Sequence, residues 1–169
     1  MIELLLGITK LGRKMDNNIV KVKLKYATEL YNEGQYDESI KVLQELIPEV
    51  DDSQKFEKSE IFRLIGNAHY AKQDYDNAIP AYEKTLDYYD NNDSIYNILG
   101  YMYFYKNIDK SIYYYLKGME IKPNFGNFVM LTQVMIKNKK YSQKDLQKTF
   151  EKYVDYFRPE IMQGHEAFT

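Results

Sequence analysis

The sequence repeats itself. Phe62, Ile65, Gly66 and His69 are followed by Tyr75, Ala78, Tyr82 and Thr85, and the same order returns as Tyr96, Leu99, Gly100 and Tyr103, then Ile108, Ser111, Tyr115 and Gly118. Gly66 and Gly100 stand 34 residues apart but Ala78 and Ser111 only 33, so one residue is missing from the turn Lys106-Asn107-Ile108. A period of this length marks a chain built from one supersecondary unit. Such a unit cannot bury its apolar face alone and must stack on its neighbours. Within each copy the first four positions fall at i, i+3, i+4 and i+7, one face of a helix. A glycine inside a helix costs about 1 kcal/mol relative to alanine. That cost is accounted for if the helix crosses a neighbour too closely to admit a side chain.

Turn signals at Asn32-Glu33-Gly34, Lys72-Gln73-Asp74 and Lys106-Asn107 divide the chain into antiparallel helices. Eight are predicted, near 18–33, 37–50, 55–72, 76–90, 94–105, 109–121, 125–138 and 142–157. Asp37, Asp76 and Asp109 are expected to cap the helices that follow them, and Ser142 with Asp145 forms a capping-box pattern. Pro80 falls in the first turns of its helix, where proline is tolerated; Pro48 should end or bend its helix, and Arg158-Pro159 should stop the last one. About five extra residues around Asp51–Lys55 lengthen a helix or make a loop. Val20 to Tyr26 alternates as a strand would, but a lone strand has no partner here, and helix is the expectation.

Large residue, Leu-Gly, Tyr, then Ala, Phe and a closing Pro at fixed offsets is the pattern of the tetratricopeptide repeat. The two central copies, with Leu99-Gly100, Tyr103 and Pro123 among their residues, resemble it closely. Gly34 to Ile40 extends the resemblance toward the N-terminus, although Lys23 stands at its bulky aromatic position. Asn127 to Phe157 keeps the hairpin spacing without the signature Gly and Ala. The resemblance implies an all-α, right-handed superhelical stack of about four antiparallel hairpins over 18–157, with repeats near 20–53, 59–92, 93–125 and 126–157, and a tail at 158–169.

In such a stack the first helix of each pair lines the concave side. If 62, 65, 66 and 69 are buried, then Glu60, Arg63, Asn67 and Tyr70 face the groove. The same offsets add Ser94, Asn97, Tyr101 and Phe104 from the third repeat, Lys21, Leu24, Thr28 and Tyr31 from the first, and Asn127, Met130, Val134 and Lys137 from the fourth. The candidate partner-binding set is Lys21, Tyr31, Arg63, Asn67, Tyr70, Asn97, Tyr101, Phe104 and Lys137. Aromatic and Arg side chains are the usual anchors of protein interfaces. Asn67 and Asn97 read as equivalent places in two repeats, where similar proteins hold the backbone of an extended peptide.

Composition narrows the function. A net charge of −2 with basic residues spread along the chain argues against nucleic acid. The chain has no cysteine, so no disulfide, thiolate nucleophile or cysteine zinc site is expected. His69 occupies a core position and His165 has no partner at metal-ligand spacing, and no phosphate-binding loop or metalloprotease motif occurs. No cofactor, metal or catalytic group is expected. Eighteen tyrosines accompany plentiful Asn, Lys and Ile, all AT-rich codons, so coding bias accounts for their number without preventing their use. The opening Met1-Ile2-Glu3-Leu4 lacks the features of a signal peptide, and nothing approaches a membrane span of ~20 residues. The expectation is a cytoplasmic adaptor for a peptide or helix of another protein. The alternatives are a chaperone for a secreted or assembling partner and a self-associating module. Residues 1–17 read as an N-terminal extension; 1–14 carry no repeat pattern, and translation is expected to start at Met15, just ahead of Asp16-Asn17-Asn18, the alternative being a helical segment that packs through Leu4, Leu5, Leu6 and Leu11.

Overall fold

The computed structural model describes residues 18–166, with side chains as far as residue 157. The expectation about Met15 lies outside them. Every regular element among the described residues is helical, and the chain divides into two compact units after Asp90. No described helix is long and apolar enough to cross a membrane.

The first unit holds α1 (18–32), α2 (Tyr36–Leu46), a 3-10 turn (Ile47–Glu49), α3 (Lys55–Ala71) and α4 (Tyr75–Tyr88). The alternating stretch in α1 is helical. Val20, Ala27 and Leu30 turn inward at helical spacing, while Val22 is 67% exposed. Lys23, at the position where the family carries an aromatic, reaches both carboxylate oxygens of Glu49 at 2.7 and 2.6 Å. Val20, Ala27, Leu43, Leu46, Ile61 and Leu64 share one apolar cluster, so the two hairpins have a common core. Pro48 sits in the 3-10 turn that ends α2. The extra residues do two things: Asp51 and Gln54 close a turn, with Gln54 Oε1 accepting from the Asp51 N–H at 3.0 Å, and α3 gains length at its start.

The second unit holds α5 (Asp93–Tyr103), α6 (Ile108–Ile121), α7 (Phe125–Lys137) and α8 (Gln143–Glu166). Ile112 and Tyr115 pack against Leu131, Val134 and Met135, and Phe128 against Tyr153 and Phe157. Pro159 does not stop α8, which continues to Glu166. A proline removes one hydrogen bond and crowds one carbonyl, which can bend a helix without ending it.

Close approach explains the mid-helix glycines. A Cβ on Gly66 would lie 2.7 Å from Tyr82 Cδ1, and one on Gly100 would lie 2.9 Å from Tyr115 Cγ. The first helices α3 and α5 therefore each lie against a fully buried tyrosine ring from the second helix of the same hairpin. Between paired helices, Ser39 Oγ donates to the Ala27 carbonyl at 2.8 Å and Ser111 Oγ to the Gly100 carbonyl at 2.7 Å. That explains why the repeat wants a small residue there.

The caps fall elsewhere than expected. Asp37, Asp76 and Asp109 lie in the first turns of helices that begin after Gln35, Asp74 and Asn107. Asp74, Asn92, Asn107 and Asn124 accept from the backbone N–H three residues on. Position two of a helix still suits an acid, because the unpaired N–H groups there carry partial positive charge. Asp37 and Asp109 also have partners in the following hairpin, Lys72 for the first, Asn138 (2.7 Å) and Lys140 (2.6 Å) for the second. The Ser142–Asp145 box forms as expected, with each side chain bonded to the other's backbone N–H.

Candidate functional site

On α3 the spacing of Glu60, Arg63, Asn67 and Tyr70 makes one stripe beside the core face. Phe62 and His69 are only partly buried, and Ile61, Leu64, Ile65, Gly66 and Ala68 form the buried side. Arg63 grips Glu60 through two hydrogen bonds, Nε to Oε1 at 3.0 Å and Nη2 to Oε2 at 2.7 Å. This fork holds the guanidinium pKa above its ordinary value. Arg63 is thus paired within its own helix and is not an isolated cation.

Asn67 stands 2.8 Å from the Tyr82 hydroxyl. With its amide nitrogen turned to that hydroxyl, Nδ2 also donates to the Arg63 carbonyl at 3.3 Å and Oδ1 accepts from Arg63 Nη1 at 3.2 Å. Glu60, Arg63, Asn67 and Tyr82 thus form one hydrogen-bonded chain. Burial pushes the Tyr82 phenol well above its usual range, and the neighbouring Tyr31 and Tyr70 add to this. The ring of Tyr31 leans on Tyr36 at 5.5 Å and that of Tyr70 meets Tyr75 edge-on at 5.6 Å, so both aromatics are braced from the following helix. Tyr70 remains 39% exposed. Lys21 is exposed on α1.

Asn97, Tyr101, Phe104 and Lys137 belong to the second unit and form a set of their own. Tyr101 is 56% exposed. Burial, aided by Tyr101 nearby, pushes the Tyr115 hydroxyl up to about 12. Phe104 meets Tyr105 edge-on at 4.6 Å, and Lys137 Nζ lies 4.8 Å from the Phe104 ring centre and 4.7 Å from that of Tyr105. Tyr105 was not anticipated, although its place next to Phe104 was a signal for it. Asn97 Oδ1 is buried against Gly118 with no hydrogen-bond partner.

Two sequence assignments are corrected. Asn67 and Asn97 are not equivalent. With Gly66 matched to Gly100, Asn67 corresponds to Tyr101 and Asn97 to Arg63, and the two amides have different surroundings. Val134 is fully buried rather than exposed to a partner, and Met130 packs against the same cluster. In α7 nearly every turn is apolar, so periodicity alone could not tell its outer face from its inner one.

No family model matches the sequence, and no curated protein matches it. Solved structures do match the fold. The crystal structure of MamA aligns over 90% of this chain and 86% of its own, with a TM-score of 0.66 and 22% identity. The C-terminal TPR-containing domain of an FK506-binding protein from Plasmodium falciparum aligns over 72% of this chain and 89% of its own, with a TM-score of 0.59 and 17% identity. The fold is that of the tetratricopeptide repeat. A further structure with this fold is the Yersinia enterocolitica type III secretion chaperone SycD in complex with a peptide of the translocator YopD. It aligns over 71% of this chain and 95% of its own, with a TM-score of 0.59 and 19% identity. On α3 and α5 the candidate residues Asn67 and Tyr101 stand directly after the crossing glycines Gly66 and Gly100, off the buried face.

Proposed function

We propose that this chain is a protein-interaction module that holds a peptide or a helix of a partner on the first-helix faces of its hairpins, and that it performs no catalysis. The observation that carries the reading is the pair of accessible aromatics on those faces: Tyr70, held against Tyr75, in the first unit, and Tyr101 in the second. Such rings bury large area at small entropic cost. Arg63 serves as a polar surface already neutralised by Glu60, so its contribution is directional hydrogen bonding rather than net charge. Lys21 and Lys137 supply the positive charge.

A second reading, a chaperone for a secreted or assembling protein, draws on the likeness to SycD with its bound peptide. Recovery of the partner from native cells, followed by titration, separates the two: a chaperone's client is exported or assembled, and an adaptor's partner stays. Tyr70→Ala and Tyr101→Ala should each lose roughly 1–2 kcal/mol of affinity, in the range of interface anchors, with thermal stability little changed. Normal binding by both variants, with loss on substituting exposed second-helix residues such as Tyr113, would overturn the assignment. Asn67→Ala is a poorer probe, because it also removes the partner of the buried Tyr82 hydroxyl.

A further inference from the structure

The first two hairpins match at an offset of 39 residues, Tyr31 to Tyr70. Tyr31 packs on Tyr36 as Tyr70 packs on Tyr75, and the positive-φ turn residues Gly34 and Gln73 coincide. At this offset Ile19, Val22 and Tyr26 of α1 stand where α3 has Lys58, Ile61 and Ile65. The α3 residues are buried, whereas Ile19 is 47%, Val22 67% and Tyr26 53% exposed. The difference lies in what comes before each helix. Ile61 and Ile65 share a cluster with Leu43 and Leu46 of α2, and no helix precedes α1 among the described residues. Lys25 and Glu29, at the places of Leu64 and Ala68, pair with each other at 3.7 Å. The uncovered apolar surface is therefore a narrow stripe of three side chains with a polar border.

We propose that this stripe is the seat of the chain's own N-terminal segment, with residues 2–11 lying antiparallel on α1 as a short helix. Leu4, Ile8 and Leu11 are spaced by four and then three, which is the spacing of Tyr26, Val22 and Ile19 read in reverse. Leu4 thus meets Tyr26, Ile8 meets Val22, and Leu11 meets Ile19. Glu3 in the first turn and Lys10 in the last suit the helix dipole, and Gly12 stands where such a helix ends. Residues 12–17 make the reversal, within the roughly 2–8 residues that usually join packed helices. A helix this short is marginal by itself in water, so it forms on the stripe. The covalent tether gives it an effective concentration that a separate chain does not match. The segment thereby closes the end of the first unit to other chains. This takes the protein from Met1, in place of a start at Met15.

The chain has no cysteine, so a pair can be introduced without competition. In the full chain, Ile8→Cys with Val22→Cys should close an intramolecular disulfide under mild oxidation. It should do so about tenfold faster than Leu6→Cys with Val22→Cys, because the bond needs Cα atoms within about 7 Å and Leu6 falls on the other side of the proposed helix. Independently, Leu4→Ser with Leu11→Ser should lower the thermal midpoint, and should do so no longer once Val22→Ser and Tyr26→Ser have removed the stripe. Equal closure rates for the two pairs, a disulfide joining two chains, or a Leu4 and Leu11 effect that persists in full without the stripe would overturn the proposal. So would a native protein whose N-terminal peptide begins at Met15; a peptide from Met1 or Ile2 is the expected result.

Discussion

At the scale of single residues, two effects of opposite sign meet at Gly100. Alanine there gains about 1 kcal/mol of helix propensity, but its Cβ meets Cγ, Cδ1 and Cδ2 of Tyr115 at 2.9–3.0 Å. These atoms are the root of a buried ring, which cannot swing aside, and overpacking of this kind costs about 1–3 kcal/mol. Gly100→Ala should therefore lower the thermal midpoint and Gly100→Leu should lower it by more. Gly126→Ala, whose Cβ meets only Asn124 Oδ1 at 3.2 Å, should leave it unchanged or raise it. Backbone conformation decides a second case. Gln73 holds φ at 60° in the place where the previous hairpin has Gly34 at 78°. A non-glycine residue pays roughly 1–2 kcal/mol in that region, so Gln73→Gly should stabilise the chain measurably in urea unfolding. The glycines were legible from sequence because an absent side chain inside a helix demands a neighbour. Tyr82 was legible as core, but not as the hydroxyl on which Asn67 depends, since that bond joins two helices at a depth periodicity does not report.

At the scale of helices, carboxylates at the helix starts carry the pH dependence. Asp74 is held below the ordinary carboxylate range by the Asn77 side chain and also by His69, Asp109 by Lys140 and Asn138, and Asp145 by Ser142. A carboxyl with a depressed folded pKa contributes stability above its unfolded value, near 3.8, and loses it as pH falls through the folded one. The Asp74→Asn, Asp109→Asn, Asp145→Asn variant should be less stable than the parent at pH 6. The gap should close below about pH 4, read as converging urea midpoints. Helix number, order and most boundaries were readable to within a few residues. The caps were misplaced because two polar residues stand within reach at each start, Asp74 and Asp76 at one, Asn107 and Asp109 at another, and one is the cap while the other serves the helix dipole. The end of α8 was misjudged because proline was read as a stop rather than a single lost bond.

At the scale of the whole molecule, the chain has two compact units, and Gly66 meets Tyr82 in one as Gly100 meets Tyr115 in the other. Each crossing is built from residues of its own unit. The destabilisations caused by Gly66→Ala and Gly100→Ala should therefore add, to within about 0.5 kcal/mol, in the double variant. A larger departure in urea unfolding would show that the crossings communicate. The repeat could be recognised because it is written in residue types. The open stripe of α1 could not, because exposure depends on what lies above a residue, and Val22 reads in sequence just as the buried Ile61 does.

The seam between each first helix and its own second helix also bears on how fast the chain finds its shape. Every Gly–Tyr crossing and every buried serine bond closes within a stretch of chain no longer than one hairpin. Short closures forfeit little chain entropy, and proteins assembled from them reach the native state in microseconds to milliseconds. A nascent chain emerging residue by residue would have both partners of the Ser39–Ala27 bond before its second hairpin was made. The apolar face that the first hairpin leaves bare, with Leu43 and Leu46, would then be covered by Ile61 and Leu64 as the next helices emerged.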